Sequence, residues 1–309
     1  MHDTTDRPLA GILLRLLSGL LFAGMLVCVK AVSDEVPLGQ TVFFRSAFAL
    51  LPIVVFMLWR REFPRALATR RPFGHLLRSG LGAAAMFASF AAVARLPVAE
   101  ATLLAQLAPV ALALGGILLL GERLTRHRLV ALTLVLVGVG VLILPELRGA
   151  PAPARITGYA LGIAAALLTA GALLTVRRIS RTETPASIAF YFVLVTTLAG
   201  LATATLGWVS VAWPTLVLLV LAGLFGGAAH ICMTLALRMT EVSRLAPFEY
   251  VALIWPILAD LWLFGQPLSS GFVLALPLVL GGAMLAALEG RRLGWPRRRL
   301  GTSGQGAGD

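Results

Sequence analysis

The sequence predicts an all-α polytopic membrane protein, with ten transmembrane helices arranged as two inverted five-helix repeats. Three observations carry this prediction: the composition, the grouping of apolar residues into blocks, and an internal repeat. The chain of 309 residues is 59% hydrophobic and only 13% charged, whereas soluble proteins are about 45–50% apolar and about 25% charged. Because a spanning helix needs about 20 mostly apolar residues, we interpret the recurring apolar blocks as membrane spans.

Ten such blocks follow one another along the chain with mostly short connections. The first block is too long for the apolar core of a signal peptide and carries Arg15 and Lys30, so we interpret it as a spanning helix. The predicted spans cover residues 10–32, 37–59, 74–94, 98–120, 126–145, 156–176, 185–206, 213–237, 244–265 and 270–289.

The basic residues predict the orientation of the spans. With the N-terminus in the cytoplasm, 21 Lys and Arg residues fall on the cytoplasmic side and 3 on the outer side. This asymmetry is the pattern that orients membrane helices, so we expect an inner-membrane protein with both termini cytoplasmic. The net charge of +12 is therefore explained without nucleic acid. Cys28 and Cys232 lie inside apolar blocks and form no CxxC pair, so no metal site or disulfide is predicted.

The chain repeats itself at an offset of 144 residues. The segment ALTLVLVG (131–138) matches ALPLVLGG (275–282) at six of eight positions, and GERLT (121–125) aligns with GQPLS (265–269) at the same offset. A repeat unit of five helices is odd in number, so the second copy must cross the membrane in the opposite sense. Inverted repeats of this kind are typical of secondary transporters.

The repeat divides the chain into two predicted domains and a tail. Residues 1–148 form the first five-helix repeat and residues 149–290 form the second, inverted repeat. Residues 291–309 form a basic segment followed by a Gly-rich tail, a composition typical of disorder.

Several motifs in these spans resemble the EamA-type members of the drug/metabolite transporter superfamily. They are FFR (43–45), Pro109 followed by GERLT, APFEY (246–250) and LFGQPLS (263–269). The resemblance implies ten helices in two inverted repeats, exchange of small organic solutes, and no enzymatic activity or cofactor. The second copy departs from the pattern, because it has Gln266 where a glutamate is usual. APFEY with a following tryptophan is similar to members associated with S-adenosylmethionine or riboflavin-like solutes.

Four charged residues inside the spans are the first candidates for a substrate or coupling site. At about 1.5 Å per residue, Arg45 lies about 12 Å below the outer surface and Lys30 about 5 Å below it. Glu249 and Asp260 are eleven residues apart and share one face of span nine. Since intramembrane charges usually face the bundle interior and pair with one another, we expect Asp260 to partner Arg45 or Lys30. Glu249 is left without a basic neighbour, which suits proton coupling. The alternative is that these charges only lock helices together.

Three further residues are weaker candidates for solute contacts. Gln106 aligns with Tyr250 at the offset of 144, and both lie in the fourth helix of their repeat. Trp255 offers an aromatic face for a cationic or aromatic ligand. His230 is a candidate proton carrier, although a satisfied buried histidine is the more ordinary interpretation.

Three classes of function are in competition on the sequence. The repeat favours a secondary transporter that moves a small organic solute by alternating access, whether proton-coupled or by exchange. An intramembrane enzyme is disfavoured, because the sequence has no HExxH, GxSxG or CxxC motif. A membrane scaffold or accessory subunit is the other alternative. We expect a small-molecule solute and the lipid bilayer as partners, no nucleic acid, no metal and no cofactor. A homodimer is left open.

Overall fold

The structure is a computed structural model that describes residues 8–292, except 62, 65–66, 121–124, 149–151, 181, 241–244, 246–247 and 249. Glu249, most of GERLT and much of APFEY therefore lie outside the described residues, as does the predicted tail beyond residue 292. We call the end of the bundle at which the first helix begins the near end. The end at which that helix finishes is the far end.

The described chain is helical, with eleven α-helices and one short 3-10 helix at Thr203–Leu206. The helices are α1 (Pro8–Val32), α2 (Leu38–Trp59), α3 (Pro72–Arg95), α4 (Val98–Ala105), α5 (Leu107–Leu120), α6 (Arg126–Arg148), α7 (Pro153–Ile179), α8 (Pro185–Ala202), α9 (Trp213–Met239), α10 (Ile254–Trp262) and α11 (Ser270–Arg292).

Eight of the helical segments are long and apolar enough to cross a membrane, counting α4 with the start of α5 as one. The apolar part of α11, Ser270–Leu285, is shorter. Large apolar side chains point away from the bundle along these helices, as a lipid-facing surface requires. Trp59, Trp213 and Trp262 are 73–78% exposed at helix ends, where tryptophan is enriched at membrane interfaces.

The fourth predicted span is not one continuous helix. Residues 98–120 form α4 and α5, which are separated at Gln106. Pro109 has no N–H to donate to the carbonyl of Ala105, which opens the helix at this point. In the ninth predicted span, a helix covers Ile254–Trp262, and the two residues before it, 252 and 253, form a turn.

Helices α6 and α11 cross through a contact that obeys the 144-residue offset. A Cβ on Gly138 would stand 2.7 Å from Cγ2 of Val279, and a Cβ on Gly282 would stand 2.6 Å from Cγ2 of Val135. Gly138 corresponds to Gly282, and Val135 corresponds to Val279. In each repeat the glycine therefore contacts the equivalent valine of the other repeat. This reciprocal contact is what a two-fold axis between the repeats produces.

Two further helix pairs show the same reciprocal packing between the repeats. α1 packs most extensively on α9, and α3 packs almost as extensively on α7. The two pairs correspond, since α1 and α3 are the first and third spans of one repeat and α7 and α9 are those of the other. One large apolar core joins the two halves. The domain boundaries at residues 148 and 290 stay a prediction.

Candidate functional site

Arg45 lies in the middle of the bundle without an acidic partner among the described residues. Its side chain is 2% exposed and passes from α2 between α1 and α9. Its Nε–H donates to Sδ of Met25 at 3.3 Å, which is a weak acceptor. Nη1 has no hydrogen-bond partner. A Cβ on Gly226 would stand 2.8 Å from Nη2, so the absence of a side chain at this position makes room for the guanidinium.

A second arginine, Arg78, enters the bundle from α3. Arg78 lies two turns inside α3, and its guanidinium carbon stands 4.0 Å from the ring centroid of Phe192 on α8. Its Nε and Nη1 are buried without a hydrogen-bond partner. The charge count of the sequence places Arg78 with the basic residues outside the membrane. In the structure the side chain instead turns along α3 toward Gly82.

His230 connects the two arginines. Its ring is in edge contact with Phe22 at 5.1 Å and with Phe192 at 6.5 Å between centroids, and it lies within electrostatic reach of both guanidiniums. We refer to Arg45, Arg78 and His230, with Met25, Phe22 and Phe192 around them, as the central cluster.

A cavity of about 30 Å³ borders the central cluster between α2, α8 and α9. Its walls include Ile53, Met57, Ala189, His230 and Thr234. This space holds about two water molecules. Solute pockets are about 300–1,000 Å³, so this cavity is much smaller than a pocket that holds an organic solute.

The structure does not bring Arg45 and Asp260 together, so an ion pair between these two residues is wrong. Asp260 is fully buried, and its two carboxylate oxygens accept the backbone N–H groups of Val98 and Ala99 at 2.9 and 2.7 Å. These N–H groups begin α4 and have no partner within the helix, so the carboxylate stabilises the helix end. Depth along the helix axis placed Arg45 near Asp260, but the two side chains leave their helices toward different neighbours.

Lys30 also stabilises a helix end. Its ammonium donates to the carbonyls of Ala94 and Leu96 at 3.2 and 3.1 Å, at the C-terminus of α3, where cations interact favourably with the helix dipole. Asp260 attracts Lys30 only at longer range. Neither residue faces the central cavity.

A polar cluster at the far end joins the two repeats. Glu100 on α4 accepts hydrogen bonds from Arg155, from the Tyr159 hydroxyl at 2.8 Å and from the Ser269 hydroxyl at 2.9 Å. Nε of Arg155 also donates to Glu146 at 2.9 Å. We refer to these five residues as the far-end cluster. Its charges are paired, unlike those of the central cluster.

A smaller cluster closes the near end. The Glu183 carboxylate lies 3.2 Å from Nε2 of His75 on α3 and accepts the backbone N–H of Arg70 at 3.0 Å. The ring of Tyr191 on α8 packs on His75, and its hydroxyl donates to the Leu67 carbonyl at 2.6 Å. Burial raises the pKa of Glu183, but the hydrogen bonds from His75 and Arg70 outweigh burial and hold this pKa below its usual value. These residues form the near-end cluster.

The remaining predicted residues lie outside the central cluster as described. Gln106 is half-buried at the break between α4 and α5. Trp255 is half-buried on α10, and its indole N–H is buried without a partner. Tyr250 is half-buried and has a partner. Glu249 lies outside the described residues, so its role in coupling stays a prediction. Among the described residues no group of His, Cys, Asp and Glu is arranged to hold a metal ion.

Sequence reasoning missed Arg78 and all of the far-end cluster. Arg155 and Glu100 both lie close to predicted span ends, where charged residues are ordinary and do not stand out as site candidates. Arg155 and Tyr159 are four residues apart, which places both on one face of α7. That spacing is a readable signal for a polar helix face directed at the bundle.

Comparison with known proteins agrees with this architecture. Residues 9–144 match the EamA-like transporter family. The pseudopaline exporter CntI of Pseudomonas aeruginosa is 28% identical over 271 residues, which cover 86% of this chain and 91% of the exporter. A riboflavin transporter of Rhizobium johnstonii is 28% identical over 285 residues, covering 91% of this chain and 89% of that protein.

Two further likenesses extend over nearly the whole chain. An S-adenosylmethionine uptake transporter of Rickettsia prowazekii is 24% identical over 284 residues, covering 91% of this chain and 94% of that protein. A solved crystal structure superposes with a TM-score of 0.62 at 23% identity, covering 92% of this chain and 99% of the other. Residues 9–144 therefore carry an EamA-like transporter domain, and over most of its length the chain is similar to membrane transporters of small solutes.

Proposed function

We propose that the protein is a secondary transporter that moves a small organic solute by alternating access. The observation that carries this proposal is the reciprocal contact of Gly138 with Val279 and of Gly282 with Val135. Two halves that present the same surfaces to each other can exchange their shapes, which converts one open form into the opposite open form around a central site.

The two end clusters are the gates in this proposal. The far-end cluster ties α4, α6 and α7 to the segment before α11, whereas the near-end cluster ties α3 to α8 and the loop before it. The cavity beside His230, whose lining extends to Pro185 at the start of α8, is too small for an organic solute. Passage therefore requires that one cluster opens while the other stays closed.

The finer assignments of orientation and coupling belong to the same proposal. The excess of basic residues on one side supports an inner-membrane location with both termini in the cytoplasm. Under that orientation the far end faces outward. The similarity to exporters and to uptake proteins leaves both directions of transport within the proposal. Proton coupling through Glu249 and assembly as a homodimer stay predictions.

Cysteine labelling from the two sides of the membrane tests alternating access without a known solute. Ala189 lines the central cavity, so Ala189→Cys would be introduced in a chain that also carries Cys28→Ser and Cys232→Ser. In proteoliposomes of defined orientation, we expect a membrane-impermeant maleimide to label this cysteine from either side. The matched control is Ala152→Cys, just before α7 at the far end, which should be labelled from one side only.

Labelling of Ala189→Cys from a single side under all conditions would contradict alternating access and favour the scaffold alternative. As a further check, Glu100→Gln weakens the far-end cluster and should raise the labelling rate from the far side relative to the near side. The opposite change would show that the gates are wrongly assigned.

A further inference from the structure

We propose that the central cluster binds the carboxylate of an organic acid whose body is aromatic or apolar. This inference rests on the proposed function, because it names the class of solute that the proposed transporter moves. Arg45 and Arg78 are the residues that hold the carboxylate in this proposal.

The first argument is the charge of Arg45, which has no acidic partner in the part of the chain that the structure describes. A guanidinium at 2% exposure is costly in a membrane interior and normally requires a counter-charge. Its described neighbours are a thioether sulfur, a glycine and a histidine ring. Since none of them carries a negative charge and Nη1 has no partner, the protein is complementary to an anion that arrives from outside.

The second argument is the kind of polar atom left without a partner. Nη1 of Arg45 and Nε and Nη1 of Arg78 are all hydrogen-bond donors, and none of them can accept. A carboxylate has two acceptor oxygens, and its hydrogen bonds to guanidinium are among the strongest in proteins. Two guanidiniums within electrostatic reach of His230 therefore favour an anionic acceptor over a neutral or cationic solute.

The third argument concerns the rest of the solute. The rings of Phe22 and Phe192 flank His230, and the cavity wall next to it is mostly apolar, with Ile53 and Met57 in it. A fully hydrated dianion would find no partners along this wall. An acid with an aromatic or apolar body satisfies the arginines and the wall together.

Pairs of probes that differ only in charge test this inference. The full-length protein in nanodiscs would be titrated calorimetrically with indole-3-acetate and phenylacetate, and with the matching neutral amides and the cationic amine tryptamine. We expect each acid to bind at least tenfold more tightly than its amide, because a charge-assisted hydrogen bond is replaced by a neutral one. Tryptamine should bind more weakly still.

Two variants and one control locate the binding. Arg45→Gln and Arg78→Gln should each weaken acid binding about 10- to 100-fold and reduce the preference for acid over amide. Arg148→Gln, at an exposed position near the end of α6, should leave both unchanged. If Arg45→Gln is not folded, Arg78→Gln alone decides.

Two outcomes would overturn the inference. One is that no acid binds or that the amides bind as tightly as the acids. The other is that the acid preference survives in both variants. Either result can occur while Ala189→Cys is still labelled from both sides, so the solute class can fail without the failure of the transport mechanism.

Discussion

The central cluster and the far-end cluster use the same kinds of residue in opposite ways. In the far-end cluster, Arg155 faces two carboxylates, and Glu100 accepts from three different side chains. In the central cluster, Arg45 and Arg78 face aromatic rings, a sulfur and a glycine. Both clusters join helices of the two repeats, but among the residues that the structure describes only the far-end cluster has its charges paired.

The comparison indicates that buried charges have two distinct roles in this bundle. A charge with its partners in place holds helices together, and its loss leaves the partners unsatisfied. A charge without a partner among the described residues, such as that of Arg45, adds nothing to the resting fold, and in our proposal the solute supplies its partner. The two roles predict opposite effects on stability when a charge is removed.

The largest effect is expected at Glu100. Replacing Glu100 with Ala leaves Arg155, Tyr159 and Ser269 without their shared acceptor, which should lower the free energy of unfolding by about 3–4 kcal/mol. Glu100→Gln keeps acceptor oxygen for the hydroxyls and should lose about half as much. Reversible unfolding in mixed micelles measures both. Equal stability of Glu100→Ala and the unchanged protein would mean that the far-end cluster does not hold the helices.

The comparison is sharpened by removing one arginine from each cluster. Arg155→Met should lower the free energy of unfolding by about 2 kcal/mol, because Glu100 stays buried with fewer donors. Arg45→Met should leave it unchanged or raise it by about 1 kcal/mol, because an uncompensated charge is replaced by an apolar side chain. Chemical unfolding of the two variants under the same conditions gives the contrast. A larger loss for Arg45→Met would assign Arg45 a structural role.

The uncharged α6–α11 crossing provides a reference for these changes in the free energy of unfolding. A Cβ on Gly282 would stand 2.7 Å from the Ala131 carbonyl oxygen, so Gly282→Ala should cost about 1–2 kcal/mol by overpacking. Gly138→Ala should cost less, since its nearest neighbour is the Val279 side chain. Gly281 and Gly140 have open space around them, so Ala at these two control positions should be neutral or slightly stabilising. Thermal unfolding of the four variants tests the order, and equal losses at all four glycines would contradict the close crossing.

The smallest effect concerns the pH dependence of the near-end cluster. The pKa of Glu183 is lower in the folded protein than its usual value. The stabilisation is therefore present above the ordinary carboxyl pKa and is lost as pH falls through the lowered pKa. Melting temperatures between about pH 6 and about pH 3 should decline less steeply in Glu183→Gln. Identical slopes would remove Glu183 from the acid sensitivity of this end.

The sequence predicted the long helices well because their apolar blocks are local features. The predicted second span at 37–59 and the observed helix at Leu38–Trp59 differ by one residue. The break at Gln106 was not predicted, since the apolar run continues across it and only the missing N–H of Pro109 signals it. The segment around residues 131–138 and its copy were recognised from sequence identity, and the structure gives them one reciprocal contact.

The candidate site was predicted less well, because the depth of a charged residue in the membrane does not determine the direction in which its side chain points. Arg45 is a buried charge, as the sequence predicts, but height in the membrane is a poor guide to its partner. Asp260 instead meets the start of α4, and Lys30 meets the end of α3. A count of charged residues does not include the unpaired backbone N–H and C=O groups at helix ends, although these groups can hydrogen-bond a buried charge. Solute contacts at Gln106, Tyr250, Trp255 and Glu249 stay predictions.

The equal exchange at the α6–α11 crossing has a consequence for the balance between the two open forms. If the halves swap shapes in the proposed cycle, Gly138 and Gly282 trade environments, and this crossing contributes the same free energy before and after. The α6–α11 crossing therefore favours neither of the two open forms. A preference for one open form over the other must then come from the two ends of the bundle. The far-end cluster has five polar and charged residues, whereas the near-end cluster has one carboxylate paired with a histidine.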